Sequence, residues 1–177
     1  MSHLPPDIAV FTPLLVITIE LSLYCSIGYG MQIYELKKDV KVICVEATSF
    51  PGGIKNAFNR LYNQVPDTKL RNIFGISKPQ NGLIIYKAAA AENFEGEATR
   101  LGLQTFVIQK GNYLGEALMD WQKNEMMIGS IFERLVADKR LDGSAHCIEW
   151  YKNERELVCL VLMRDEEING TIQELTL

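Results

Sequence analysis

Near its C-terminal end the chain carries AHCIEWYK (145–152), in which a thiol, a carboxylate and a phenol stand at alternate positions: Cys147, Glu149 and Tyr151. Alternate residues of an extended strand share a face, so these three point one way while His146, Ile148 and Trp150 point the other. A carboxylate in such an apolar run is costly to bury unless it is paired, hydrogen-bonded or protonated, and a cationic ligand would relieve that cost. The alternative is that Glu149 bonds Tyr151 or neighbouring backbone and only organises its strand. With a raised pKa and a phenol beside it, Glu149 could also act as a general base, with Tyr151 as hydrogen-bond donor. No second catalytic group is identifiable, which ranks an enzyme below a binder. His146 next to Cys147 suggests a thiolate pair, but adjacent strand residues face apart and the imidazole cannot easily reach the sulfur.

Other chemistries are poorly supplied. The cysteines (Cys25, Cys44, Cys147, Cys159) show no CxxC spacing, and the two histidines, His3 and His146, are far apart. Neither a metal site nor a disulfide framework is suggested, and no cofactor is expected. With 18 Lys and Arg against 22 Asp and Glu, a formal charge of −4 and no long basic cluster, the chain lacks the electrostatic footprint of a nucleic-acid binder. Its 177 residues, 47% of them apolar, suffice for one core.

The elements that position Glu149 come from a repeat. Ile54, Ala57, Phe58, Leu61, Tyr62 and Val65 mark one face of an amphipathic helix, and an offset of 74 residues lands on Ile128, Ile131, Phe132, Leu135 and Val136 in the same pattern. In the same register, 32–46 lies over 106–120 and 74–88 over 148–162. Each of these reads as strand, turn and strand. LGEALMDWQ (114–122) has good helix formers, but its partner VKVICVEA is β-branched, which favours strand. The expected fold is therefore α+β: duplicated β-α-β-β modules with pseudo-twofold symmetry, 31–104 and 105–163. An antiparallel sheet would carry helices on one face and a ligand cleft on the other. Residues 89–104 read as the linker between repeats and 164–177 as a frayed tail.

Where matched positions differ, the difference is informative. Glu149 matches Gly75, so Gly75 and Ser77 would lie on its face, with Ile148 and Trp150 turned to the helices and Glu149 and Tyr151 to the helix-free side. Small residues and one polar anchor describe a cavity. Trp121, Tyr113, Tyr86 and Phe94 could line an aromatic cage, although such residues also simply fill small cores. Trp121, on its expected strand, is the best cleft wall among them.

The first thirty residues stand apart. Residues 8–28 are almost uniformly apolar and long enough to span a bilayer, though Glu20 would be costly there. No Lys or Arg precedes the stretch and no clean cleavage site follows it, which argues against a signal peptide. The favoured reading takes Met31 as the working start; a membrane anchor is the second.

The run CIEWYKN resembles the motif of GyrI-like domains, also called AraC-type effector-binding domains, in which a glutamate and a tyrosine two residues apart precede the last hairpin. Gly111-x-Tyr113 resembles the turn that opens their second half, while FPGGI (50–54) and FGISKP (74–79) are similar to a stand-alone bacterial branch. The resemblance covers about residues 32–163. It implies paired modules around a ligand cleft, with Glu149 receiving a hydrophobic cation and Tyr151 beside it; the reading of the residues themselves adds Cys147, Gly75, Ser77, Tyr113 and Trp121 as ligand-binding candidates. It implies a cytoplasmic small-molecule sensor or sequestering domain, with a hydrolase using Glu149 and Tyr151, or a protein-binding inhibitor, as alternatives. Trp150 replaces the aliphatic residue more usual between the glutamate and tyrosine.

Overall fold

The computed structural model describes residues 30–164 and 172–175. The apolar stretch 8–28, with its two readings, lies outside the described residues. Among the described residues nine strands and three α-helices follow in the order β1 (Gln32–Leu36), β2 (Val40–Glu46), α1 (Ile54–Gln64), β3 (Ile73–Gln80), β4 (Leu83–Ala91), α2 (Glu97–Leu101), β5 (Gln104–Ile108), β6 (Gly111–Met119), α3 (Met126–Val136), β7 (Cys147–Tyr151), β8 (Glu156–Leu162) and β9 (Ile172–Glu174). All strands join one sheet in the order β5-β2-β4-β3-β7-β8-β6-β1-β9. Pairing is antiparallel except between β1 and β9, so the sheet is mixed.

The connections force this sheet to curl. In a flat sheet β5 and β6 would lie about 29 Å apart, six strand spacings. Only Gln109 and Lys110 join them, a reach of about 10 Å. β1 and β2 are likewise six spacings apart and joined by residues 37–39. The two crossings meet where the Lys110 amide donates to Asp39 Oδ1 at 2.7 Å. The expected hairpin pairing of β1 with β2 is thus replaced: β1 pairs with β6, and β2 with β5.

The curl decides which face is which. One apolar cluster on the helix-free side contains residues from each of β1 to β8, including Tyr34, Val42, Phe74, Ala89, Ile108, Tyr113, Trp150 and Leu160. Only a sheet wrapped around its own side chains brings those strands together. The helices cover the other face. Ala57 and Leu61 of α1 pack on Ile43, Val45, Ala88 and Ala90, and Ile131 and Leu135 of α3 pack on Leu114, Leu118, Leu157 and Val161. The alanine run of β4 suits this position, because small side chains let the helix approach closely on one side while Ala89 meets the interior on the other.

Several expectations are corrected here. Ile148 and Trp150 join the helix-free interior, so Glu149, Cys147 and Tyr151 lie on the helix-bearing face, the reverse of the expected orientation. The helix-free face is filled by the wrapped sheet, so the expected cleft opposite the helices is not where Glu149 sits. β6 is a strand as its repeat partner suggested, but it ends at Met119. Asp120 takes positive φ and Trp121–Lys123 form a 3₁₀ turn, so Trp121 is not a strand residue. The linker range contains the end of β4 and the short helix α2. The supposed tail returns as β9, whose neighbour Leu175 is buried in the interior. No helix among the described residues is long and apolar enough to cross a membrane.

Candidate functional site

β3 and β7 run side by side at the middle of the sheet, pairing Gly75 with Glu149 and Ser77 with Cys147. On the other flank Glu149 pairs with Cys159 of β8, which is fully buried. The carboxylate is therefore fixed near the centre of the helix-bearing face, and Glu149 is only 7% exposed.

Two phenols hold it. Tyr151 Oη donates to Glu149 Oε2 at 2.6 Å, and Tyr86 Oη donates to the same oxygen at 2.8 Å, with the two hydroxyls 3.4 Å apart. Tyr86 reaches across from β4, and its path explains Gly75: a Cβ there would collide with the Tyr86 hydroxyl and stand 2.7 Å from Glu149 Oε2. Gly75 thus clears the path through which the phenol meets the carboxylate. Glu149 Oε1 takes no hydrogen bond from the described residues.

Aromatic rings extend from this centre toward both helices. Phe58 of α1 meets Tyr151 edge-on at 5.5 Å between centroids and Tyr86 at 6.4 Å, while Phe50 in the loop before α1 lies 6.0 Å from Tyr86. From the other half of the chain, Trp121 meets Tyr151 edge-on at 5.0 Å. Its turn is held by Nε1 donating to the Asn153 carbonyl and by the Arg155–Asp120 ion pair. Tyr62 continues the row beyond Phe58 and is about half exposed.

Burial pushes the Glu149 carboxyl above the ordinary range, partly offset by the two phenolic donors. Burial, followed by the neighbouring carboxylate, raises both Tyr86 and Tyr151, so both phenols remain protonated donors. Burial and then Glu149 push the Cys147 thiol up to about 11, which leaves it a poor nucleophile at neutral pH. Among the described residues no group of three or more His, Cys, Asp or Glu is placed to hold a metal.

Of the residues singled out from sequence, the structure brings Glu149, Tyr151, Gly75 and Trp121 together, with Cys147 and Ser77 on the same face two register pairs along. Tyr113 is not among them: it is buried in the interior behind the sheet, its hydroxyl donating to the Gln109 carbonyl at 2.6 Å. Tyr86 was legible only as one aromatic among several. The signal that would have placed it is the Asn81-Gly82 pair, both at positive φ, a two-residue hairpin turn that fixes Ser77 opposite Tyr86 and Gly75 opposite Ala88.

This arrangement can be set beside known proteins. No protein-family model matches the sequence, and no curated relative matches it. Solved structures do share its fold. An integron cassette protein, VCH_CASS2, from the mobile metagenome of Vibrio cholerae aligns at 14% identity and TM-score 0.56, covering 76% of this chain and 96% of its own. The protein SAV2435, solved bound to tetraphenylphosphonium, aligns at 14% identity and TM-score 0.54, covering 77% and 94%. A putative bacterial transcription regulation protein from Staphylococcus aureus aligns at 14% identity and TM-score 0.50, covering 77% and 99%. The fold is thus an α+β architecture shared with these three, a curled mixed sheet with helices packed on one face.

Proposed function

We propose that this chain is a GyrI-like effector-binding domain that takes a hydrophobic cation against Glu149, in the aromatic-lined region between α1 and α3. One observation carries the reading. A nearly buried carboxylate at the centre of the sheet has no cationic partner among the described residues and is held by two neutral phenols on one oxygen, with aromatic rings on both sides. A carboxylate in that state gains most from a delocalised cation, which supplies the missing charge without needing a hydration shell and stacks on ring faces. The sheet order supports a pseudo-twofold arrangement: read from β5 to β1, it repeats itself backwards when β1–β4 are exchanged with β5–β8. Glu149 then lies beside the axis with Gly75 as its matched position, so one half supplies the anchor and the other the space. SAV2435, with the same fold, was solved with a lipophilic cation. The role is that of a sensor or sequestering domain.

Titration with tetraphenylphosphonium, followed by the fluorescence of Trp121 in a Trp150→Phe background, tests the reading with Glu149 present and with Glu149→Gln. The expected result is saturable quenching with Glu149 present and at least about a tenfold loss of affinity with Glu149→Gln, the scale for losing a charge-assisted partner. Equal affinities would remove Glu149 as the anchor.

A further inference from the structure

The other side of the sheet holds a depression of about 290 Å³, which the proposed cation binding does not use. It opens where the edge strand β5 curls toward the segment leading into β7. Its walls are apolar: Phe106, Ile108, Ile148 and Leu162, with Tyr113 beside them. Its polar groups are Lys78 of β3 and His146, with Asp142, Ser144 and Gln109 also contributing. Lys78 and His146 make no side-chain hydrogen bond or ion pair among the described residues, while the His146 ring packs edge-on against Phe106 at 4.8 Å. Asp142 is engaged differently, its Oδ1 accepting both the amide and the hydroxyl of Ser144 at 2.9 Å.

We propose that this depression binds a small monocarboxylate with an aromatic or apolar body, its carboxylate on Lys78 and its body against Phe106 and Ile148. The charge pattern sets the class. Lys78 offers an ammonium with no hydrogen bond or ion pair among the described residues, within the electrostatic reach of Asp142; Lys87, on the same face of the sheet but bonded to Gln104 and near Glu46, adds to the positive field felt at His146. Burial, followed by those two cations, lowers the His146 pKa and so favours the neutral imidazole, which has an N–H to donate. A second negative charge on the ligand would meet Asp142, whose carboxyl its Ser144 bonds hold ionised, so dianions are disfavoured. A cation would face Lys78 directly. The site thus selects the opposite ligand charge from the Glu149 face, through different residues, and stands independently of the function proposed there.

The test uses the full chain and 1-naphthoate, with 1-naphthylmethanol as the uncharged control and 1,8-naphthalate as the dianion. Binding is followed by NMR on the His146 ring protons. Saturable shifts are expected with 1-naphthoate and weaker ones with both controls. Lys78→Met is expected to cost about tenfold or more in affinity and Lys78→Arg to retain binding, since an ammonium–carboxylate bond is lost in one and replaced in the other. Glu149→Gln should leave naphthoate binding unchanged. The proposal is overturned by no saturable shift at His146, by equal affinity for naphthoate and naphthylmethanol, by an unaltered affinity in a folded Lys78→Met, or by loss of binding in Glu149→Gln.

Discussion

A carboxylate that burial makes reluctant to ionise leaves a signature in stability as well as in binding. The native Glu149 pKa is raised, so the folded protein holds this proton at pH values where the unfolded chain, near 4.3, has released it. The associated stabilisation is complete below the unfolded value and is lost as pH rises through the folded one. Glu149→Gln keeps an acceptor for Tyr86 and Tyr151 without the charge. The empty variant should therefore melt higher than wild type at pH 8, with a smaller gain at pH 5; thermal melts of both proteins at both pH values measure this. A gain of the same size at both would mean that Glu149 does not change its ionisation between them. Gly75 acts at the same scale. Gly75→Ala places a methyl on the Tyr86 hydroxyl, with an expected cost of about 1–3 kcal/mol as overpacking. Chemical denaturation checks the cost, and a cation titration should show weakened binding because Tyr86 and Glu149 must move apart.

At the scale of elements, the periodicities of the sequence were readable where one face differs from the other. The helix pattern at Ile54–Val65 and at Ile128–Val136 corresponds to α1 and α3, and the alternation around Glu149 grouped Cys147, Glu149 and Tyr151 correctly. The orientation of that group was not readable. Both faces of β7 are apolar, Ile148 and Trp150 on one and Cys147 and Tyr151 on the other, so alternation separates the faces without saying which one the helices cover. The answer depends on the curl, which follows from pairings of β1 with β6 and β2 with β5 that no local pattern announces. The alanines of β4 were hidden for a related reason: their intrinsic preference is not for strand, and close packing of α1 overrides it. A second element-scale feature is an ion pair that joins the range read as a linker to the chain before β3: Glu97, within that range, pairs with Arg71, each side chain 1% exposed. Arg71 donates two hydrogen bonds of 2.8 Å to the carboxylate and one of 3.0 Å to the Ala91 carbonyl, tying α2 to the ends of β3 and β4. The Arg71 hydrogen bonds, aided by the Asn93 amide, hold the Glu97 carboxyl below its usual range despite burial. Its contribution is present above the unfolded pKa and fades as pH falls through the folded one, the opposite sense to Glu149. Glu97→Gln, which strands a buried guanidinium, should cost about 3–5 kcal/mol in denaturant unfolding at pH 7.

For the whole molecule, the wrapped sheet makes two environments from one layer: an apolar interior on the helix-free side, and a helix-bearing face where strands and aromatic side chains from both halves of the chain meet at Glu149. Because that carboxylate is built into the sheet centre, its protonation links folding to pH, and on the proposed function it links cation binding to both. In the empty protein its pKa is raised; the cation proposed to bind against it would stabilise the anion and lower that pKa. Between the bound and free values, binding must therefore expel a proton, and affinity must fall as pH drops through the free value. The phenols should not contribute, since burial and the carboxylate drive their own ionisation further above neutrality. Calorimetric titration with tetraphenylphosphonium in two buffers of different ionisation enthalpy measures the proton count directly. The expected outcome is a buffer-dependent heat of binding with the sign of proton release, at most one proton per cation, declining toward zero at high pH where free Glu149 is already ionised. The same titration of Glu149→Gln should show no buffer dependence. A wild-type heat independent of buffer at every pH from 5 to 8 would place the cation elsewhere than against this carboxylate.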